Sequence, residues 1–181
     1  MGLYLEYNTY PPMKKVQNSF KVGDNVVYPS HGVGKVTKIE DRVIGGVTLK
    51  FLVIHLKKEK LFIRVPINKA QKVGIRFIIS NKDIDKIMLI LGEKPKSQRG
   101  IWSKRAIEYE MKINSGDLLL IAEVIRDLYR ESNNADRSYS EKVIYDLALD
   151  RLASEYALLY KMDQKEALGK ILDFIKEKQI T

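Results

Sequence analysis

The spacing of apolar residues changes once along this chain, and the change fixes the order of its structural classes. Up to Pro66 the apolar positions recur every second residue, with Gly and Pro between the runs. Val26-Val27-Tyr28 is a short apolar run that Pro29 stops. Lys35-Val36-Thr37-Lys38-Ile39-Glu40 alternates polar and apolar, the period of a half-buried strand. Arg42-Val43-Ile44 and the run from Val47 to Ile54 flank Gly45-Gly46, a hairpin signal. A further strand is expected from Lys60 to Val65, ended by Pro66. Several short strands with such punctuation predict a small barrel.

From residue 81 the spacing is helical. Ile84, Ile87, Met88 and Leu91 fall on one helix face, and Gly92 ends that run. Residues 93–100, EKPKSQRG, form a polar basic linker, the strongest candidate for a domain or subdomain boundary. Beyond it a helix over 102–114 is closed by Ser115-Gly116. Asp117 is placed to cap the next helix, whose Leu118, Ile121, Ile125, Leu128 and Tyr129 share a face. Ser138-Tyr139-Ser140-Glu141 is a capping box that opens a long helix ending near Lys161. Asp163 starts a last helix through Ile175. The short connections imply a compact bundle.

Charge follows the same division. The net charge is +9, yet residues 20–80 hold 12 basic and 4 acidic side chains, while residues 113–181 hold 10 and 13. A basic front half points to a polyanion or an acidic protein as partner. The chain has no cysteine, which excludes a disulfide framework and a thiolate zinc site. No apolar run approaches the roughly 20 residues that span a bilayer. The opening, MGLYLEYNTYPPMKK, lacks the pattern of a secretory signal, so the chain reads as cytoplasmic. Residues 1–19, with three tyrosines and Pro11-Pro12, read as a disordered tail.

The residues offer little to an enzyme. His31 and His55 are the only histidines, one in a Pro-Ser-His-Gly turn and one inside a strand pattern. Gly32-Val33-Gly34-Lys35 superficially resembles a phosphate loop, but it lacks the Walker spacing and precedes a strand. No metal-ligand spacing appears, and no cofactor or small-molecule substrate is expected. The more informative group is Trp102-Ser103-Lys104-Arg105, which holds the only tryptophan, at the start of a helix and beside two cations. Two readings are open on the pattern alone. Trp102 is a core residue, or it is an aromatic wedge against nucleic-acid bases, with Lys104 and Arg105 on phosphates.

The run from Phe20 to Gly34, FKVGDNVVYPSHGVG, resembles the opening of the CarD/CdnL family of bacterial RNA polymerase-binding transcription regulators. The likeness continues through Phe62-Ile63-Arg64-Val65-Pro66, Ile101 to Arg105, Ser115-Gly116-Asp117, Ala122 to Tyr129 and Ser140-Glu141-Lys142, and so spans residues 20–175 in order. The opening piece also occurs in transcription-repair coupling factors, large helicases whose Walker motif is missing here. The resemblance implies an α+β chain: a Tudor-like (SH3-like) β-barrel over 20–80 and an all-α helical bundle, a DNA-binding domain, over 81–178. It implies that the barrel binds the RNA polymerase β subunit through an exposed sheet edge and basic residues, here Arg42 and Arg64. It implies that Trp102 wedges into the minor groove of promoter DNA at the upstream bubble edge, beside Lys104 and Arg105. The contact would be weakly sequence-specific and would stabilise the open promoter complex, so that the protein is nucleoid-associated through the polymerase and touches no membrane. One departure is plain. Ala106-Ile107 and then Glu108 occupy a stretch that is basic in the family, which shifts the expected DNA contact toward Lys112 or the linker residues Lys94 and Lys96. The rival reading is a protein-interaction adaptor on the polymerase, with Trp102 in the core.

Overall fold

A computed structural model of the chain describes residues 20–96, 100–129 and 138–179. The expected tail, residues 1–19, and linker residues 97–99 lie outside the described residues. Strands β1 (Asn25–Tyr28), β2 (Gly32–Ile44), β3 (Val47–Leu56) and β4 (Leu61–Pro66) come first. A short helix α1 (Ile67–Val73) and strand β5 (Arg76–Phe77) follow. The five strands form one antiparallel sheet in the order β4-β3-β2-β1-β5. Helices α2 (Asn81–Gly92), α3 (Trp102–Asn114), α4 (Leu118–Leu128), α5 (Tyr139–Tyr160) and α6 (Gln164–Gln179) complete the chain. The class is α+β in the expected order.

The β2–β3 hairpin turns at Gly45 and Gly46, both with positive φ, which lets Ile44 pair with Val47 in the twist that favours a tight hairpin. Strand β2 runs unbroken through the two stretches that read as separate runs. A register shift between Val36 and Lys38 marks a bulge. Val26, Val36, Leu52, Ile54 and Leu56 bury the inner face, with Ala70 of α1 and Ile75 against them. Gly34 lies so close to β3 that a Cβ there would stand 2.6 Å from Ile54 Cγ2. Neither α1 nor β5 stands out in the sequence. One has seven residues and the other two, too few for a period to register.

The helices share a second core. Ile84, Ile87, Ile90 and Leu91 of α2 lie in the same apolar cluster as Tyr109, Ile121, Leu152 and Ile171. Asp117 caps α4 by accepting from the Leu119 N–H at 2.9 Å, and Ser138 caps α5 by accepting from the Glu141 N–H at 3.3 Å. The last helix passes Ile175 and ends at Gln179. The basic linker, read above as a boundary, instead joins two helices of one core. Its first residues are tied to α4: buried Arg126 donates to Glu93 at 2.8 Å and to Asp127 at 2.7 Å, and the Lys96 N–H donates to Asp127 at 3.0 Å. Burial opposes the charge of Arg126, but the Asp127 hydrogen bond and the fields of Asp127 and Glu93 outweigh it and hold its pKa above the ordinary value.

Sheet and helices meet at a polar junction. Arg76 on β5 donates from Nη2 and Nη1 to the two carboxylate oxygens of Glu155 on α5, at 2.7 and 2.8 Å. The same guanidinium donates to the Gly116 carbonyl at 2.6 and 3.1 Å, and Glu155 also accepts the Ile79 N–H at 3.2 Å. Beside this clamp Arg151 donates to the Ser30 carbonyl at 2.7 Å, and Lys58 pairs with Asp150. Gly116, at φ +72°, lets the α3–α4 turn seat against Pro29, where a Cβ would lie 2.8 Å from the Pro29 Cα. Among the described helices none is long and apolar enough to cross a membrane.

Glu155 is only 3% exposed, so its loss leaves the Arg76 guanidinium without its counter-charge and the Ile79 N–H without its acceptor. Glu155→Ala is expected to cost about 3 kcal/mol in urea unfolding. Glu59→Ala, which removes the exposed partner of His31, is expected to cost under about 1 kcal/mol. Equal costs would show that the clamp carries no special weight.

Candidate functional site

Two surfaces gather the residues that the sequence singles out. The first is on the sheet. Alternation along β2 puts Lys38, Glu40 and Arg42 on one face, and the cross-strand row Lys38, Val53, Arg64 brings β4 to the same place. Arg42 and Arg64, 22 positions apart, both donate Nε to Glu40 Oε1, at 2.7 and 3.1 Å. Lys38 Nζ lies 3.3 Å from the other oxygen. The Arg42 hydrogen bond, with Lys38 and Arg64 adding to it against a smaller burial effect, holds the Glu40 carboxyl below its ordinary pKa. Each arginine spends only Nε on Glu40, so the remaining guanidinium donors face outward. Beside them β4 pairs with β3, and among the described residues no strand pairs with its other edge. Phe62 on that strand is exposed and stacks on His55 at 4.4 Å between ring centroids.

The second surface is the start of α3. Ile101 holds the cap position, no side chain caps the helix, and its first turn has no acidic residue. That turn instead carries Lys104, which is exposed, and Arg105. Cations at a helix N-terminus oppose the macrodipole, so the arrangement is locally unfavourable until an anion arrives. The other two helix starts described above are capped. Trp102 is half-buried. Its indole N–H donates to Ser140 Oγ on α5 at 2.9 Å, its ring lies 6.3 Å from that of Tyr109, and the Arg105 guanidinium sits 5.2 Å from its centroid. The ring is thus neither wholly core nor free. Burial first, and the charge of Asp127 next, push the Tyr109 hydroxyl up to about 12, so it stays protonated beneath the indole.

Lys112, one of the residues toward which the departure shifts the expected DNA contact, is already engaged within the bundle. It is half-buried and lies 2.9 Å from Glu123 and 3.6 Å from Glu108. Lys94 and Lys96 remain exposed on the linker. Sequence reasoning names Arg42, Arg64, Trp102, Lys104 and Arg105, and the fold brings the first two together and the last three together. It misses Glu40 as the shared partner of the arginines, although the Lys-x-Glu-x-Arg alternation carries that signal. It also misses Ser140 as the partner of Trp102. His31 pairs with Glu59 at 2.7 Å in the turn after β1.

A sheet that carries a basic cluster and a helical bundle with an uncapped, aromatic helix start define a two-part α+β protein, and comparison with known proteins gives that class a family. The CarD-like/TRCF RID domain matches residues 20–79. The CarD C-terminal domain matches residues 86–173. The Bacillus subtilis protein YdeB, described as a candidate transcription factor, is 29% identical over 147 residues, covering 81% of this chain and 96% of its own length. The chain is also similar to two solved Myxococcus xanthus structures. One is the N-terminal domain of CarD (29% identity, 38% of this chain, 91% of that one, TM-score 0.30). The other is the N-terminal part of CdnL (42% identity, 38% and 97%, TM-score 0.31). With both halves matched in order, the chain belongs to the CarD/CdnL family of transcription regulators. Its sheet part is the CarD-like/TRCF RID type of domain.

Because Trp102 is the only tryptophan, its emission reports on this site alone. Arg105→Ala uncovers the ring. Its emission is expected to move to longer wavelength and its quenching by acrylamide to rise about twofold or more, since the cation held over the ring is removed. Unchanged emission would place Arg105 elsewhere in solution.

Proposed function

We propose that this protein docks on the RNA polymerase β subunit through its sheet and holds the start of α3 against promoter DNA at the upstream edge of the transcription bubble. There Trp102 enters the minor groove and opposes reannealing. The observation that carries the reading is the setting of Trp102: a lone indole at an uncapped helix start, with Lys104 and Arg105 in the turn that an anion would fill. An approaching phosphate meets the positive helix end and both cations together. Arg105 then exchanges the indole face for phosphate and frees that face for a base.

On the sheet, the outward donors of Arg42 and Arg64 suit acidic groups on the β subunit. The free β4 edge suits an added strand, with main-chain hydrogen bonds supplying affinity. Glu40 fixes the two guanidinium groups in place beforehand, which reduces the entropy lost on binding. The domains under this reading are residues 20–80 for the polymerase and 81–178 for DNA. Stabilisation is a population shift, because the protein contacts the open state better than the closed one. The contacts are to groove shape and phosphate, so sequence preference is weak.

A second reading has an observation of its own. The packing of Trp102 on the bundle and its bond to Ser140 suit an adaptor that binds polymerase and never inserts the ring. Open-complex lifetime decides between the two, measured on a promoter with a fluorescent base in the bubble and RNA polymerase from the same organism. Trp102→Ala is expected to lose about 1–3 kcal/mol of open-state preference, roughly five- to a hundredfold in lifetime. Arg64→Glu is expected to abolish the effect through lost docking. A lifetime indifferent to Trp102→Ala, with polymerase binding intact, would establish the adaptor.

A further inference from the structure

The wedge reading leaves a polar problem at the tip of the wedge. An indole is not wholly apolar: its N–H needs an acceptor wherever water is excluded, and a base step excludes water. The structure supplies an acceptor from another helix. Ser140, in the first turn of α5, accepts the Trp102 N–H at 2.9 Å across a separation of 38 positions. Its hydroxyl can still donate, and Ser138 Oγ lies 3.2 Å away. Ser138 in turn accepts the Glu141 N–H at 3.3 Å as the cap of α5. The chain of bonds therefore runs from the indole into the end of a 22-residue helix.

We infer that Ser140 is a positioning residue for Trp102: it fixes the orientation of the indole and keeps its N–H satisfied while the ring meets DNA. The inference rests on the wedge reading and adds a part to it. A tryptophan side chain turns about two bonds, and the Tyr109 ring and the Arg105 guanidinium, which lie near its ring, are non-directional restraints. The hydrogen bond to Ser140 selects one orientation from those that the packing allows. Ordering the ring in the free protein removes that cost from the encounter with DNA. Without Ser140 the ring keeps its area but loses its aim, and its N–H enters the step unpaired. Serine suits the position because it is short, exposed, and both donor and acceptor.

The test is a mutant cycle on the full chain, read by open-complex lifetime and by Trp102 emission in the free protein. Ser140→Ala is expected to shorten the lifetime about fivefold, the factor that one ordinary hydrogen bond supports. Ser140→Thr, which keeps the hydroxyl, is expected to restore it. Trp102→Phe keeps a ring without an N–H. It is expected to match Ser140→Ala, and the double variant is expected to be no worse than either single one. Emission anisotropy is expected to fall in Ser140→Ala and to recover in Ser140→Thr. The inference is overturned if Ser140→Ala leaves the lifetime unchanged while Trp102→Ala shortens it, or if the effects of Ser140→Ala and Trp102→Phe simply multiply. If Trp102→Ala itself changes nothing, the wedge reading fails and takes this inference with it. Loss of polymerase binding by Ser140→Ala would also overturn it, because the sheet does the docking.

Discussion

Everything this protein is proposed to do depends on one ion pair. Arg76 and Glu155 join the last strand of the sheet to the middle of the longest helix, and the same guanidinium reaches Gly116 in the α3–α4 turn. A regulator with two docking surfaces works only if the distance between them suits two sites on one complex. Tethers let each surface bind but give no mechanical relation between them. A bidentate arginine pair at a largely buried position gives direction as well as attraction. Removing water from it costs more than it returns in many proteins. Here the five guanidinium bonds, one of them to the Phe77 carbonyl, and the extra bond from Ile79 offset that cost by leaving few partners unmet. The neighbouring contacts of Arg151 with Ser30 and of Lys58 with Asp150 extend the same seam.

Around that seam, the two surfaces follow opposite design rules. The sheet face is ordered in advance, because Arg42 and Arg64 already share Glu40, and under the proposed docking a partner would add only acidic groups. The α3 start is left unsettled, with a positive helix end, two cations and no cap. Natural sequences break local rules mostly where function compensates them. Asp117 and Ser138 cap their helices, whereas α3 and the short α1 have no side-chain cap. What sets the α3 start apart is the indole beside two cations in its first turn.

Much of this was legible in the residues, and the limits are physical. The hairpin at Gly45-Gly46 is local, since two adjacent residues with positive φ specify it. The caps at Asp117 and Ser138 are local as well, each a contact within three positions. Helix α1 and strand β5 were not visible, because seven and two residues carry no period. The linker was misread for a different reason. Its composition is that of a boundary, and only contacts 33 and 31 positions away, to Arg126 and Asp127, show that Glu93 and Lys96 are tied to the helical core. The arginines were named through the resemblance, but their meeting at Glu40 depends on the register of three strands and one bulge. Ser140 read as part of a cap, and its role beside Trp102 is a matter of helix packing that no local pattern encodes.

The most direct test is a distance. The chain has no cysteine, so cysteines placed at exposed Lys50 on β3 and exposed Glu110 on α3 carry spin labels without interference. The spread of label separations in the free protein reports whether sheet and helices form one rigid unit. A single narrow distribution is expected, and it is expected to broaden markedly in Arg76→Ala while the circular dichroism of both parts is retained. A distribution equally broad with and without Arg76, or equally narrow in both, would contradict the central place given to the clamp.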